Sequence, residues 1–536
     1  MRSIKQFFPQ SKFLLITTLV SLGVVGCGIL LMQLWLPNLF WQTAKVHLVL
    51  FKSLYKHEIF TKGSIYSIKD YYLLTINLFH KNSRNDDIRG NKMNEILKTG
   101  QTVYTESSKI PCMVEQFLGG GGQGEVYRVN LGGKEMALKW YFPHYLQIDR
   151  HLRERLETAI ETGPPSERFL WPMELTSSPE VESFGYIMPL REPGYKSLID
   201  LMKRRIEPTF RSLATAGFEL ADSFFQLHAQ GLCYCDISFG NVFFEPETGH
   251  ILICDNDNVD VNKVGKSAVS GTPRFMAPEI VCGKERPSTQ TDLFSLAVLL
   301  FYTFMVHHPL EGRKEAEIKC FDLPAMTKLY GEEPVFIFDP KDDSNRPVPG
   351  YQDNAIVFWS IYPQFLRELF TKAFTDGIRN PSGGRIQETE WRLAMIRLRD
   401  SIIYCPHCGH ENFYDADSLK ASGGQLNPCW NKQCRKEIPV PPRIRIDKNI
   451  VMLNYNTELF PHHVDDHRRW DFSQAIASVT QHPNNPNLWG LKNLSQQKWV
   501  TTTADGTVKD VEPGRSVSLA TGTKINFGQV EGEIRR

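Results

Sequence analysis

Three side chains in one short region have the types and spacing to handle a phosphoryl group. Asp236 and Asn241 stand five apart in Tyr234-Cys235-Asp236-Ile237-Ser238-Phe239-Gly240-Asn241, and a turn-rich run then leads to Ile251-Leu252-Ile253-Cys254-Asp255. A carboxylate can orient a hydroxyl acceptor, while an amide oxygen and a second carboxylate can hold Mg2+ against a triphosphate. Such a set needs a phosphate cradle and a cation upstream.

Both are present. Phe117 to Tyr127 contains Gly119-x-Gly121-x-x-Gly124-x-Val126, a turn in which backbone N–H groups can approach phosphates with no side chain between. Met136-Ala137-Leu138-Lys139 is an apolar strand ending in a cation for the α and β phosphates. A dinucleotide site would require a helix directly after the glycines, and a Walker A loop a closing Gly-Lys-Ser/Thr; neither occurs. A helix is expected from Ile148 to Ile160, stopped by Gly163-Pro164-Pro165, with Glu154, Glu157 and Glu161 along it. Glu157, 18 residues after Lys139, is the expected carboxylate partner of that lysine. Phe184 to Pro189 reads as a strand and hinge, with adenine between Val126, Ala137 and the backbone near Met188. Phe210 to Gln230 has the apolar period of a buried helix and stops at Gly231.

With these parts in order, the stretch from about Cys112 to Asp400 resembles the eukaryotic-like, bacterial-type protein Ser/Thr kinase family. The resemblance implies a bilobal α+β fold over 106–402, ATP and Mg2+ as cofactors, a protein substrate, and Asp236 as the group that orients the acceptor hydroxyl. It implies Mg2+ at Asn241 and Asp255, and phosphate contacts at Gly119, Gly121, Gly124 and Lys139. Ala277-Pro278-Glu279 and Asp292 match further family positions, Arg385 looks like the partner of Glu279, and Thr272 beside the acceptor site favours Ser or Thr. Two positions depart from the pattern. Tyr234-Cys235-Asp236 stands for His-Arg-Asp, which removes the arginine that usually reads activation-loop phosphorylation. Asp255-Asn256-Asp257 stands for Asp-Phe-Gly, which alters the metal loop and adds a carboxylate near Mg2+. These departures motivate an alternative: a pseudokinase scaffold that binds nucleotide or partners without phosphotransfer.

Downstream, Cys405-x-x-Cys408 and Cys429-x4-Cys434 form two pairs separated by 20 residues, the pattern of a zinc ribbon over 403–440. His407 or His410 could replace one thiolate. The segment has too few apolar residues for its own core, so structural Zn2+ would supply its folding free energy. It has no basic stripe, and nucleic acid is not an expected partner. From 441 to 536 short apolar runs alternate with Asn, Pro and Gly turns, which predicts a β-sandwich. Leu491 to Ser495, Trp499, Pro513-Gly514 and Ile525 to Gly528 resemble the second half of a forkhead-associated domain. That resemblance implies a phosphopeptide or protein partner, with Asn493 on the peptide backbone. The family's Gly-Arg and Ser-x-x-His signatures are not visible, and a plain protein-interaction sandwich is the heavier reading.

With 536 residues, 41% of them hydrophobic and 23% charged, the chain should fold as several units. Phe13 to Trp41 contains no charged residue and is long enough to cross the ~30 Å hydrocarbon core. It is expected to be a transmembrane helix (13–41) after a basic tail (1–12). The run is too long for a signal peptide. A juxtamembrane segment (42–105) follows, its first half rich in lysines. Residues 1–85 carry ten Lys or Arg against Glu58 and Asp70. Charge on both flanks leaves orientation open, but a need for ATP places the body on the cytoplasmic side of the cell membrane.

Overall fold

Alternating apolar and polar side chains make residues 102–188 a strand-built lobe. The computed structural model describes residues 95–262 and 271–536. The expected tail and membrane helix, and the juxtamembrane segment up to residue 94, lie outside the described residues. Among the described residues no helix is long and apolar enough to cross a membrane. Strands β1 (Thr102–Thr105), β2 (Pro111–Gly120), β3 (Gly124–Leu131), β4 (Lys134–Tyr141), β5 (Glu174–Ser177) and β6 (Phe184–Met188) close on one another in the order β1-β2-β3-β4-β6-β5. β1 pairs with both β2 and β5, so the lobe starts before the boundary at 106 expected from sequence. A strand of four residues is too short to display a period, which is why it reads as linker. Helix α1 (Leu152–Thr162) packs Leu152 and Leu156 against this lobe and ends at Gly163, whose φ of 76° suits glycine.

The second lobe is helical. α2 (Phe210–Ala229) starts at Thr209, whose side chain accepts from Ser212 N, and stops before Gly231 with φ of 75°. α3 (Thr289–Met305) is capped by Ser288 and is buried from Thr291 to its end, the central column of the lobe. α4 (Glu388–Asp400) packs along α2. His228 on α2 lies between two carboxylates, its Nε2 3.2 Å from Asp292 on α3 and its Nδ1 bonded to Glu388 on α4. Asp292 also accepts the Tyr234 backbone N–H at 2.6 Å, which ties the loop before Asp236 to the core. Arg385 donates to Glu279 at 2.6 Å, the pairing the sequence suggested.

Beyond α4, Ile402–Tyr404 pairs with Glu411–Phe413, and the four cysteines cluster beside that hairpin. From Arg443 onward the chain forms a six-stranded and a four-stranded sheet around Ile444, Leu459, Leu491, Trp499, Ile525 and Ile534. The first strand, Arg443–Ile446, pairs with the last, Glu531–Arg535. The loop between Leu459 and Ala477 is exposed from Asp466 to Arg469 but packs on the helical lobe on either side of that stretch. Its Trp470 and Phe472 pack on Phe218 of α2, the Arg392 guanidinium of α4 lies 3.7 Å over the Trp470 ring, and His463 bonds Asp400 at 3.2 Å.

Burial opposes the His228 charge, but the hydrogen bonds it donates to Asp292 and Glu388 outweigh it and raise its pKa to about 9. A group raised on folding contributes stability that is fully present below about 6.5 and is lost as pH rises through about 9. Urea unfolding should therefore show the gap between wild type and His228→Gln shrinking from pH 6 to pH 9.5.

Candidate active site

The cleft between the lobes is lined from four directions. The β2–β3 turn forms its roof, and Gly121 N donates to Gly124 O at 2.9 Å to close that turn. A Cβ at Gly124 would sit 2.1 Å from the Trp140 carbonyl oxygen, so only glycine fits. At Gly119 and Gly121 a Cβ would meet nothing within 4 Å, so the backbone of the turn has open space beside it. Val126 pairs with Lys139 across β3 and β4, and Ala137 with Met188 across β4 and β6, so the three expected adenine-side residues are neighbours in one sheet.

On the floor, Asn241 Nδ2 donates to the Asp236 carbonyl at 2.6 Å, and Asn241 O accepts from Cys254 N at 2.8 Å. The Asp236 loop and the strand before Asp255 are thus fastened together through one residue, by its side-chain amide on one side and its main-chain carbonyl on the other. Thr272 Oγ1 donates to Asp236 Oδ1 at 3.0 Å. Burial and the nearby Asp255 and Asp257 charges raise the Asp236 pKa against that hydrogen bond. Asp255 is the most open of the acidic groups on the metal loop, at 40% side-chain exposure, and adopts φ of 54°. Asn256 takes the family's Phe position and is fully buried, its Nδ2 donating to Leu170 O at 2.8 Å and Ile253 O at 3.0 Å. Backbone hydrogen bonds do there what apolar packing would otherwise do.

Lys139 is 4% exposed and reaches the cleft as expected, but its partner does not. Glu157 is exposed and pairs with Arg153 at 3.0 Å, Glu154 bonds His151, and neither meets Lys139. The expectation for Glu157 is corrected by Asp257, which receives Lys139 Nζ at 2.7 Å on Oδ2 and 3.0 Å on Oδ1. Tyr141 OH donates to the same carboxylate at 2.5 Å and Tyr186 OH lies 3.5 Å away. Asp257 is therefore buried on the lysine and is not the added metal-side carboxylate that the sequence suggested. Burial disfavours the Lys139 charge, yet Asp257 and Asp255 hold its pKa above the ordinary lysine value. Helix geometry explains the miss: Arg155 and Glu157 flank Leu156 on opposite sides, and the apolar stripe fixes only which side faces inward. The Arg155 flank faces the metal loop. Its guanidinium binds Asp149 at 2.8 and 2.9 Å and reaches the Asp257 carbonyl at 3.5 Å.

Gln123 at the tip of the glycine turn was not marked by sequence. Its Oε1 accepts from Lys139 Nζ at 2.7 Å, and its Nε2 donates to Tyr145 OH at 3.1 Å and Asn258 Oδ1 at 3.2 Å. Nothing in its spacing distinguishes it from a turn filler.

Residues 184–355 match the family model described as the protein kinase domain, whose bilobal α+β architecture is the one seen between β1 and α4. The chain is 27% identical over 164 residues to the cell cycle serine/threonine-protein kinase CDC5/MSD2 of Saccharomyces cerevisiae, covering 27% of this chain and 22% of that protein. It is 26% identical over 212 residues to serine/threonine-protein kinase plk-2 of Caenorhabditis elegans, covering 38% and 32%. It is 26% identical over 244 residues to a probable cell cycle serine/threonine-protein kinase CDC5 homolog of Encephalitozoon cuniculi, covering 44% and 50%. The chain thus spans half or less of the length of these relatives.

The glycine turn gives a stability test. Gly124→Ala must displace the β4 backbone and should cost roughly 2 kcal/mol or more, whereas Gly121→Ala should stay within about 1 kcal/mol of wild type in thermal unfolding.

Proposed function

We propose that this protein transfers the ATP γ-phosphoryl group to Ser or Thr hydroxyls of protein substrates. The observation that carries this reading is the meeting of Asp236, Asn241, Asp255 and Lys139 beneath a glycine turn with open space at Gly119 and Gly121. The similarity to Ser/Thr kinases supports it. The donor set fits the cofactors: a buried ammonium for phosphate oxygens, and an amide oxygen with an exposed carboxylate for Mg2+. ATP bound with Mg2+ supplies the activated phosphoryl group. Asp236 orients the acceptor hydroxyl and takes its proton, and Thr272 fixes the carboxylate's direction. Lys139 neutralises phosphate charge, and Asn241 keeps Asp236 and Asp255 in register through its two bonds. The competing scaffold reading draws on Gln123 and Asp257, which occupy Lys139.

The full chain, incubated with radiolabelled ATP, Mg2+ and a generic protein substrate, should label Ser and Thr. Asp236→Ala should lower the rate by roughly 10^3 or more while melting as wild type does. Equal labelling by both proteins would favour the scaffold.

We also propose structural Zn2+ at Cys405, Cys408, Cys429 and Cys434. Facing sulfurs lie 3.7 Å (Cys405 to Cys434) and 3.6 Å (Cys408 to Cys429) apart. A tetrahedral site with Zn–S bonds of ~2.3 Å has S–S edges of about 3.8 Å. Asn412 Nδ2 lies 3.7 Å from the Cys429 sulfur and would bond that thiolate. Metal analysis should give one zinc per chain, lost in a Cys429→Ser/Cys434→Ser variant.

For the C-terminal sheets we propose a forkhead-associated-like protein-interaction module. A cleft of about 310 Å3, lined by Asp465, Arg468, Gln474, Ser495 and Gln497 among others, is its candidate partner site. Asn493 does not serve there as the resemblance implied. It is fully buried and spends its amide on Gln497 O at 2.8 Å and Val511 O at 3.1 Å. Arg468 is held by Asp471, so phosphate recognition would need that pair to open. The uncharged run from Phe13 to Trp41 supports a single-pass anchor in the cell membrane, with the catalytic body on the ATP-containing side.

A further inference from the structure

We propose that the metal loop, not helix α1, supplies the carboxylate that positions Lys139, and that α1 carries the opposite charge at the corresponding place. Asp257 is the positioning residue and Arg155 is its counterpart on the helix. The proposal deepens the phosphotransfer reading and rests on it for its kinetic consequences.

The division of labour between two carboxylates in one short turn carries the argument. Asp255 and Asp257 flank Asn256, yet the Asp257 side chain is 1% exposed and that of Asp255 is 40% exposed. Asp257 receives Lys139, Tyr141 and Tyr186 on its two oxygens. Its acceptor positions are taken up by protein donors, and it has no outlook on the cleft. Asp255 keeps one 3.5 Å contact with Lys139 and remains available to a cation. The lysine and the metal carboxylate are therefore set by one element, the turn Asn256–Asn258 with its leading Asp255.

Charge on the helix agrees. A helix carboxylate at position 155 would face Asp149, Asp257 and Asp260, so a cation is what this environment accepts. Arg155 binds Asp149 with both ends of its fork and points a nitrogen at the Asp257 carbonyl, which holds the back of the turn. Glutamates on α1 are left to the solvent side. Alignment of Lys139 in this chain does not depend on a glutamate being carried inward by a moving helix.

Two measurements on the full chain test this. In nucleotide-free thermal unfolding, Asp257→Asn and Lys139→Met should each lower the first transition by roughly 10 °C, because each strands a buried partner. The double variant should fall by clearly less than the sum, and strict additivity would overturn the pairing. In phosphotransfer, Asp257→Asn should lower kcat about 100-fold with the ATP KM changed less than about fivefold, the pattern of lost alignment. A Glu154→Ala/Glu157→Ala/Glu161→Ala variant should remain within about twofold of wild type, an outcome a helix glutamate partner would not allow. Loss of activity in that triple variant, with Asp257→Asn unaffected, would reverse the assignment. A wild type that transfers no phosphate would instead remove the phosphotransfer reading, and the thermal cycle would still decide the pairing.

Discussion

A buried ammonium must be neutralised, and much of the cleft follows from how Lys139 meets that requirement. Strand β4 carries it beneath the sheet, where water cannot solvate it, and a carboxylate has to come to it. The carboxylate comes from the turn two residues after Asp255. Once Asp257 is committed there, Tyr141 and Tyr186 fill the rest of its acceptor capacity, and α1 has no acidic duty left at the site. Asn256 then anchors the turn by polar bonds, where the kinase resemblance would place an apolar phenylalanine. Its amide holds Leu170 O and Ile253 O, anchoring the turn whose geometry the Lys139 pair needs.

A second buried polar knot supports the floor of the cleft. Asp292 accepts both the Tyr234 N–H and His228, and His228 is balanced by Glu388. The knot fixes the backbone one residue before Cys235, the position where the kinase resemblance would place an arginine. The loop is held from behind by core helices through the Asp292 contacts. A fully satisfied buried polar network of this kind gives the loop rigid support.

How much of this could be read from the sequence depends on the range of each interaction. Spacing within one segment was legible: the Asp236 to Asn241 loop, the glycine turn with Lys139, and α2 ending at Gly231. The Arg385 to Glu279 pair was legible only through resemblance, since 106 positions separate them. The partner of Lys139 was misread because a helical stripe tells which residues face inward but not which flank meets a particular lysine. Gln123 was missed because its three bonds join residues 16 to 135 positions apart, and its own neighbourhood carries no sign of them. Short strands such as Thr102–Thr105 and Glu458–Leu459 have too few residues for a period, and only their pairing partners define them.

The C-terminal sheets are bound to the helical lobe through the loop between Leu459 and Ala477. Trp470 lies under the Arg392 guanidinium, and Arg392 in turn binds Asp222 of α2 at 2.9 Å. One turn earlier on α4, Glu388 holds His228 of the catalytic-loop knot. A single helix thus has the sandwich loop on one part and the support of Asp236 on another. The buried Arg392–Asp222 pair and the aromatic contacts at this junction make the sandwich a structural component of the helical lobe, unlike a domain on a free linker. The cleft beside Ser495 and Gln497 is lined on its other side by Asp465, Arg468 and Gln474 of this same loop.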